Sequence, residues 1–442
     1  MLKRCSILRA VLTAMLILCG LQVFGQQDVA VLRGRVTCGG RAVPYATVQL
    51  MGTSIGVACN DEGEYELKLP EGHDADTVAV RSVGYATARL TVVEMLGMKT
   101  VRLQPQSVML REVEVSGFRT PQQLLAAAVE RIDSNYCQKT AWSTFFYRDW
   151  RAVDGELYLF DEAVMSVRRA GYGRFAAKRA YNFAIDRREM ASNYKTVLRH
   201  RMVVHDRSLL EAKVGDPQGV DELMQYADNE EFYDPVATPK ASFALSHGTL
   251  AMHKFEPIRE FAADGEVYYL LRSVGPGRLA KARVRYEYTV RKSDLAIVAI
   301  TAVQDSLNMD AGTDAWINVK YNRMALTRDS SSWRYDVREG RYTLTHYYNE
   351  RRVVLGYGDR WRFHGDQRWH QCVDWTLTDF TTTEPTVVGD ELAVRPQTLA
   401  GAFGASDYST GFWGHYNSVP VDMLPLQMLR EKLLKLKDNQ RQ

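Results

Sequence analysis

Several residue groupings in this chain have the types and spacing that chemistry uses, and each lacks a part. His253-Lys254-Phe255-Glu256 has the H-x-x-E spacing of a zinc-ligand pair. A peptidase built on it would also need a distant third ligand and an arginine for the substrate carboxylate, and the surroundings read as strand and proline-broken loop. His200 and His205, and His364 and His370, lack the H-E-x-x-H helix that sets two imidazoles on one face. Ser246-His247-Gly248 has no nucleophile-elbow pattern, and no glycine-rich phosphate loop is found. Asp161-Glu162 and Glu230-Glu231 are adjacent pairs, and on a strand adjacent side chains point to opposite faces, which is wrong for a shared acid–base site. Carboxylates distant in sequence could still converge. His73 with Asp74 and Asp76 reads as a polar loop, and Asn60-Asp61 lacks the oxygen-ligand spacing of a calcium site. Trp361, Trp369 and Trp375 would suit a sugar ring and equally a β-rich core. No catalytic residue, cofactor or metal ligand is assigned.

The 442 residues are 46% hydrophobic and 25% charged, enough for two or three globular domains of roughly 100–200 residues each. Residues 1–25 read as a secretory signal peptide: Lys3 and Arg4, an apolar run over 10–19, and the exit Val23-Phe24-Gly25. A lipoprotein signal at Cys19 is disfavoured because Leu18, just before it, is not small. Without Lys3, Arg4 and Arg9, 56 basic residues become 53 against 53 acidic ones, so no basic face for nucleic acid is implied. The stretch 168–183, RRAGYGRFAAKRAYNF, is locally basic and aromatic and reads as a solvated strand face. No later stretch is apolar enough to span a bilayer as a helix. Beyond the leader, Cys38, Cys59, Cys137 and Cys372 form no C-x-x-C pair. Cys38 and Cys59 either bridge two strands, which would add about 3 kcal/mol, or are buried thiols.

The elements that would position any site are mostly strands. Between residues 31 and 103 about seven short alternating runs are separated by Gly39-Gly40, Gly52 and the tight turn Asn60-Asp61-Glu62-Gly63, the pattern of a β-sandwich. Gly34-Arg35-Val36, Pro44-Tyr45-Ala46-Thr47-Val48, Asp61-x-Gly63-x-Tyr65-x-Leu67 and Ser82-Val83-Gly84-Tyr85 resemble the carboxypeptidase-regulatory-like domain, with Cys59 a departure. The resemblance implies a prealbumin-like β-sandwich over 31–104, of the kind that also extends TonB-dependent outer-membrane receptors. It implies no activity, since this domain flanks a catalytic domain and carries no zinc ligands.

Residues 105–119 read as a linker with a strand or tether around Val113 and Val115. Thr120-Pro121 opens a helix whose Leu124, Leu125, Ala128, Val129 and Ile132 form one stripe. The second domain, 120–442, reads as an antiparallel meander with strands near 145–150, 157–167, 267–273, 283–290, 296–303, 315–321, 333–337, 342–354 and 373–380. Residues 221–227 suggest a short helix. Residues 425–437, with Leu426, Leu429, Leu433 and Leu436, suggest a firmer one. Asn135-Tyr136, Phe145-Phe146-Tyr147-Arg148 and Phe412-Trp413-Gly414-His415-Tyr416-Asn417 resemble envelope proteins that join a regulatory-like domain to a β-rich partner. That resemblance implies a strongly curved sheet, a half-barrel like those of periplasmic lipoprotein carriers, which either cradles an acyl chain or peptide or is closed by the two helices. The reading is a mainly β, non-enzymatic, exported cell-envelope protein of binding or scaffold type. It would sit in the periplasm or at the outer-membrane periphery of a Gram-negative cell. Its partner would be an envelope protein, lipid or glycan held by the C-terminal domain. Alternatives are a carbohydrate-binding accessory protein and, less favoured, a zinc-dependent peptidase.

Overall fold

Turn chemistry sets the strand boundaries: Gly39, Gly40, Gly52 and Gly63 all have positive φ, as do the pairs Asp154-Gly155 and Glu339-Gly340 that close two long hairpins. The structure, a computed structural model, describes residues 30–105, 111–112, 118–172, 195–214, 234–276, 284–305, 323–358, 363–384, 393–394 and 410–439, apart from positions 54, 71, 83, 240, 241, 243 and 264. Residues 1–25 read as a signal peptide, Val113 and Val115, the stretches 221–227 and 315–321 read as helix and strand, Glu230-Glu231, Trp361 and the side chain of His364 lie outside the described residues, as does most of the basic stretch 168–183.

The N-terminal strands form two small sheets. One has β1 (Ala30–Cys38) flanked by β2 (Arg41–Ala42) and β5 (Glu64–Leu69), with β8 (Thr100–Arg102) parallel to β1. The other runs β4 (Gly56–Ala58), β3 (Thr47–Leu50), β6 (Thr77–Arg81), β7 (Ala88–Thr91). Leu32, Val48, Leu50, Leu67, Leu69 and Val80 meet between them, so the two sheets make a sandwich. Gly63 must be glycine: a Cβ there would lie 2.5 Å from the Val36 carbonyl oxygen. The β-branched stretch Thr91-Val92-Val93 does not extend β7, which stops at Thr91 and gives way to helix α1 (Val92–Leu96). Thr91 and Glu94 form a capping box, a T-x-x-E signal that wins over the β-branched run.

The rest is dominated by one antiparallel sheet, and no sheet among the described residues closes into a barrel. Its meander runs β14 (Arg259–Ala263), β15 (Glu266–Pro276), β16 (Val284–Arg291), β17 (Ile297–Asp305), β18 (Arg323–Arg338), β19 (Arg341–Gly358), β20 (Phe363–Thr381). Beside β20 lies an earlier run of three: β10 (Ala141–Val153), β11 (Glu156–Arg169) and β12 (Lys195–His205), a strand the sequence pattern does not announce. The linker contributes β9 (Arg111–Glu112), which pairs with Arg259 and Glu260 at the far edge.

Helix α2 (Pro121–Glu130) starts as its sequence dictates: Thr120 Oγ1 accepts the Gln123 N–H and Pro121 sits in the first turn. Its Leu124, Leu125 and Ala128, with Ile132 of α3 (Ile132–Asn135), enter a single apolar core fed by β10, β11 and β15 to β20. Burying each such leucine stabilises by about 1.5–3 kcal/mol. Tyr136 locks the packing by donating its hydroxyl to the Ile297 carbonyl at 2.5 Å. This half of the face is therefore filled by helix rather than left as an open cradle. The C-terminal helix α7 (Met423–Asn439) takes the opposite face, setting Met428 against Trp150, Phe160 and Val204. Its seated stripe includes Met428 and Lys432 with Leu429 packed alongside, while Leu433 is exposed; the leucine spacing foretells the helix and only part of the side that docks.

Candidate functional site

The groupings with catalytic spacing come apart in three dimensions. His253 sets Nδ1 2.7 Å from the Thr249 carbonyl and Nε2 3.2 Å from the Val284 carbonyl, so a main-chain oxygen stands in front of each ring nitrogen and the protonated one donates to it. Glu256 faces Arg259 at 3.5 Å. Ser246 is the N-cap of α5 (His247–Met252), its hydroxyl accepting the Thr249 N–H. His205 is exposed, while His200 is buried beside Asp161. His370 binds Glu350 at 2.9 Å. Trp375 is sealed against Phe145 and Tyr147, so it offers no surface for a sugar. Cys38, Cys59, Cys137 and Cys372 are free thiols. Among the described residues no three His, Cys, Asp or Glu side chains assemble as a metal site.

What the fold does assemble is a seam between the sandwich and the large sheet, with the segment 410–423 caught in it. The β4–β5 turn, explained in sequence by turn chemistry alone, docks on the start of α7. Asn60 Nδ2 reaches the Val421 carbonyl at 3.4 Å, the Asp61 N–H donates to Asp422 Oδ1 at 2.9 Å, and Glu62 Oε1 accepts the Met423 N–H at 3.2 Å. Glu62 thus caps a helix from the other end of the chain. Strand β5 is an edge, and Asn417 covers it as a neighbouring strand would: it accepts the Lys68 N–H at 2.7 Å and donates to the Lys68 carbonyl at 3.0 Å. The Lys68 ammonium donates to the carbonyls of Trp413 and Tyr416 near the end of α6 (Thr410–His415).

From the sheet side, Arg148 and Arg201 complete the clamp. Arg148 donates to Glu162 Oε1 at 2.6 Å and to the carbonyls of Val419 and Pro420 at 2.6 and 3.2 Å. Arg201 donates to Glu162 Oε2 at 2.5 Å and lies over the Trp413 ring at 4.4 Å. Burial would raise the Glu162 carboxyl, but the two guanidinium charges outweigh it and hold the group below its ordinary range. Tyr45 enters the seam in the left-handed region, φ 56°, uncommon for an aromatic residue. Its ring packs on His346 and Tyr348, with Arg334 across it and donating to the Tyr45 carbonyl at 2.9 Å. Asp422, beside Asp61, is pushed up to about 7 by burial and by the neighbouring carboxylate.

The opposite face of the same strands holds a second polar group. Asp161 stands opposite Asp149 across β10 and β11, so two carboxylates distant in sequence do converge. Asp149 is tied to Arg151 at 2.6 Å and receives the Tyr147 hydroxyl at 3.1 Å. Asp161 Oδ1 has no hydrogen-bond partner, and the group is raised by burial and by the Asp149 charge, against the opposing pull of His200. The signal that could have found this pair is the Asp154-Gly155 hairpin turn, which brings the strands together. A bulge at Tyr158 obscures it, because without the extra residue Asp149 would face Phe160.

Residues 32–115 match the family model of the CarboxypepD_reg-like domain, in agreement with the sandwich and its motifs. No curated protein matches the chain. Among solved structures, a DUF1329 family protein from Desulfovibrio piger aligns over 59% of this chain and 90% of its own at 12% identity, TM-score 0.22. The MucA/MucB complex of Pseudomonas aeruginosa aligns over 58% and 93% at 9% identity, TM-score 0.18. A membrane-associated protein of unknown function from Bacteroides fragilis aligns over 79% and 94% at 7% identity, TM-score 0.13. At these scores nothing transfers from those proteins to this one. No helix among the described residues is long and apolar enough to cross a membrane.

Proposed function

We propose that this is a non-enzymatic, exported cell-envelope protein of binding or scaffold type. In this reading 1–25 is the leader, 31–104 a fixed scaffold, 105–119 the linker, and 120–442 the part that holds a partner or ligand at the periplasm or outer-membrane periphery. The observation that carries it is the division of labour between the polar groups. Asn60, Asp61, Glu62 and Lys68 of the sandwich are all engaged by the chain's own C-terminal segment. Among the described residues the large sheet keeps Asp161 Oδ1, Asn349 Oδ1 and Gln371 Nε2 buried with hydrogen-bonding capacity to spare, while in the sandwich Glu62 Oε2 and Tyr65 Oη are unmatched. The zinc-peptidase alternative is disfavoured by the main-chain carbonyl that stands in front of each His253 ring nitrogen.

The test is metal analysis and a peptide-hydrolysis assay on purified full-length protein, alongside fractionation of cells expressing it. We expect no stoichiometric zinc, no hydrolysis that depends on His253 or Glu256, and recovery in the envelope fraction without the leader. Hydrolysis abolished by His253→Gln together with Glu256→Gln would overturn the reading.

A further inference from the structure

The face of the large sheet that carries α2 is apolar at one end and polar at the other. Strand register places Ser331, Asn349, Val373, Asp149 and Asp161 side by side across β18, β19, β20, β10 and β11. At about 4.8 Å per strand this row spans roughly 19 Å. The next row along the strands sets Arg351, Gln371 and Arg151 in register. One step further stands Trp369, half-buried, its indole N–H donated to Gln367 Oε1 at 3.2 Å.

Two features define what this row can take. Its guanidinium charges are matched internally, Arg151 with Asp149 at 2.6 Å and Arg351 with Asp329 at 3.2 Å, and its remaining carboxylate, Asp161, has His200 Nε2 at 3.9 Å, so the row offers an anionic ligand no uncommitted cation. Its hydrogen-bonding capacity is not matched. Asn349 spends its amide N–H groups on Asp329 and Ser331, leaving Oδ1 without a partner. Asp161 Oδ1 and Gln371 Nε2 also lack partners, and Asn349 and Asp161 are each only 2% exposed. A buried polar atom left unmatched costs about 1–3 kcal/mol, and native proteins leave few of them. An acyl chain would supply no hydrogen bonds. A hydroxyl both donates and accepts, so a polyhydroxylated ligand is the class whose groups complement acceptors such as Asn349 Oδ1 and donors such as Gln371 Nε2 alike. Exposure rises from the buried Asn349 and Asp161 to the half-buried Gln371, Arg351 and Trp369, and Trp369 gives a flat apolar surface beside polar groups, as ligand sites commonly do.

We propose that this polar row, with Trp369 at its rim, binds a neutral glycan. The proposal rests on the binding reading above and names its ligand class. The experiment is isothermal titration of the full-length protein with linear neutral oligosaccharides of gluco-, manno- and xylo- type, with a heparin oligosaccharide and palmitate as charged and acyl comparisons. At least one neutral oligosaccharide should bind. Gln371→Ala and Trp369→Ala should each weaken it about tenfold with an unchanged melting temperature, and Asn349→Ala should weaken it at least as much. Binding of heparin or palmitate alone would overturn the glycan assignment while leaving the binding reading intact. Neutral binding unaffected by the three substitutions would overturn the site. No binding of any neutral oligosaccharide would mean that the row holds ordered water only, and would overturn the proposal.

Discussion

Glu162 looks out of the large sheet toward the C-terminal segment, where Arg148 and Arg201 take both its oxygens, whereas Asp161, one residue earlier, looks into the opposite face with Oδ1 unmatched. The two carboxylates share a strand and are equally buried, so strand position and dehydration cannot account for their difference. Counter-charge does. On the seam face both Glu162 oxygens are paired, and the contacts join one piece of the chain to another, although Glu62 Oε2 is left without a partner and Asp61 lies beside Asp422. On the helix-bearing face Asp161 lacks a close counter-charge, and Asn349 Oδ1 and Gln371 Nε2 lack neutral partners.

The largest way to break this contrast is Glu162→Ala. It leaves Arg148 and Arg201 close together without their shared carboxylate, and we expect a loss of about 3–5 kcal/mol, read from the urea midpoint. A smaller effect comes from Asp422, which lies on the Glu162 side but has another carboxylate, Asp61, as its neighbour. Its pKa is raised, so the folded protein binds a proton that the unfolded chain has already lost between about pH 4 and 7. Its contribution is therefore present at acid pH and lost as pH rises through about 7. Asp422→Asn should flatten that slope, recovering about 1–2 kcal/mol at pH 8 after allowance for solvent screening. The smallest effect is expected at Asp161, whose carboxyl is also raised. Asp161→Asn should stabilise by about 1 kcal/mol at neutral pH, and the gain should vanish only below about pH 3, where the wild-type group is protonated in both the folded and the unfolded state. A destabilisation as large as that of Glu162→Ala would show that both faces rely on their carboxylates equally.

The strands were legible because alternation is a local property. Val284, Tyr286, Tyr288 and Val290 read as one face, and Tyr286, Tyr288 and Val290 are buried together in the helix-filled core. The start of α2 was legible for the same reason, since Thr120 and Pro121 need nothing outside their own turn. The seam was hidden because its residues are doubly employed. Asn60, Asp61 and Gly63 satisfy a tight turn so completely that nothing is left over to advertise a partner 361 residues away. Lys68 and Asn417 look like ordinary strand and loop residues until they are set edge to edge. The Asp149–Asp161 pairing was hidden by one bulge residue, which shifts register and changes which side chains share a row. The pattern of a sequence reports what a strand is, and says little about what it lies beside.

The helix cap that Glu62 supplies to Met423 has a consequence for how the protein is made. The two residues are 361 positions apart, so this contact closes a very long loop and forms late, after the entropy of everything between has been spent. During synthesis the sandwich emerges first and can complete its own core while β5 still has an open edge. That edge stays unprotected until Asn417, 349 residues further along the chain, has been synthesised. The segment 410–439 therefore acts as a latch on the first domain, and a nascent chain stalled before it would present a sticky strand instead of a covered one.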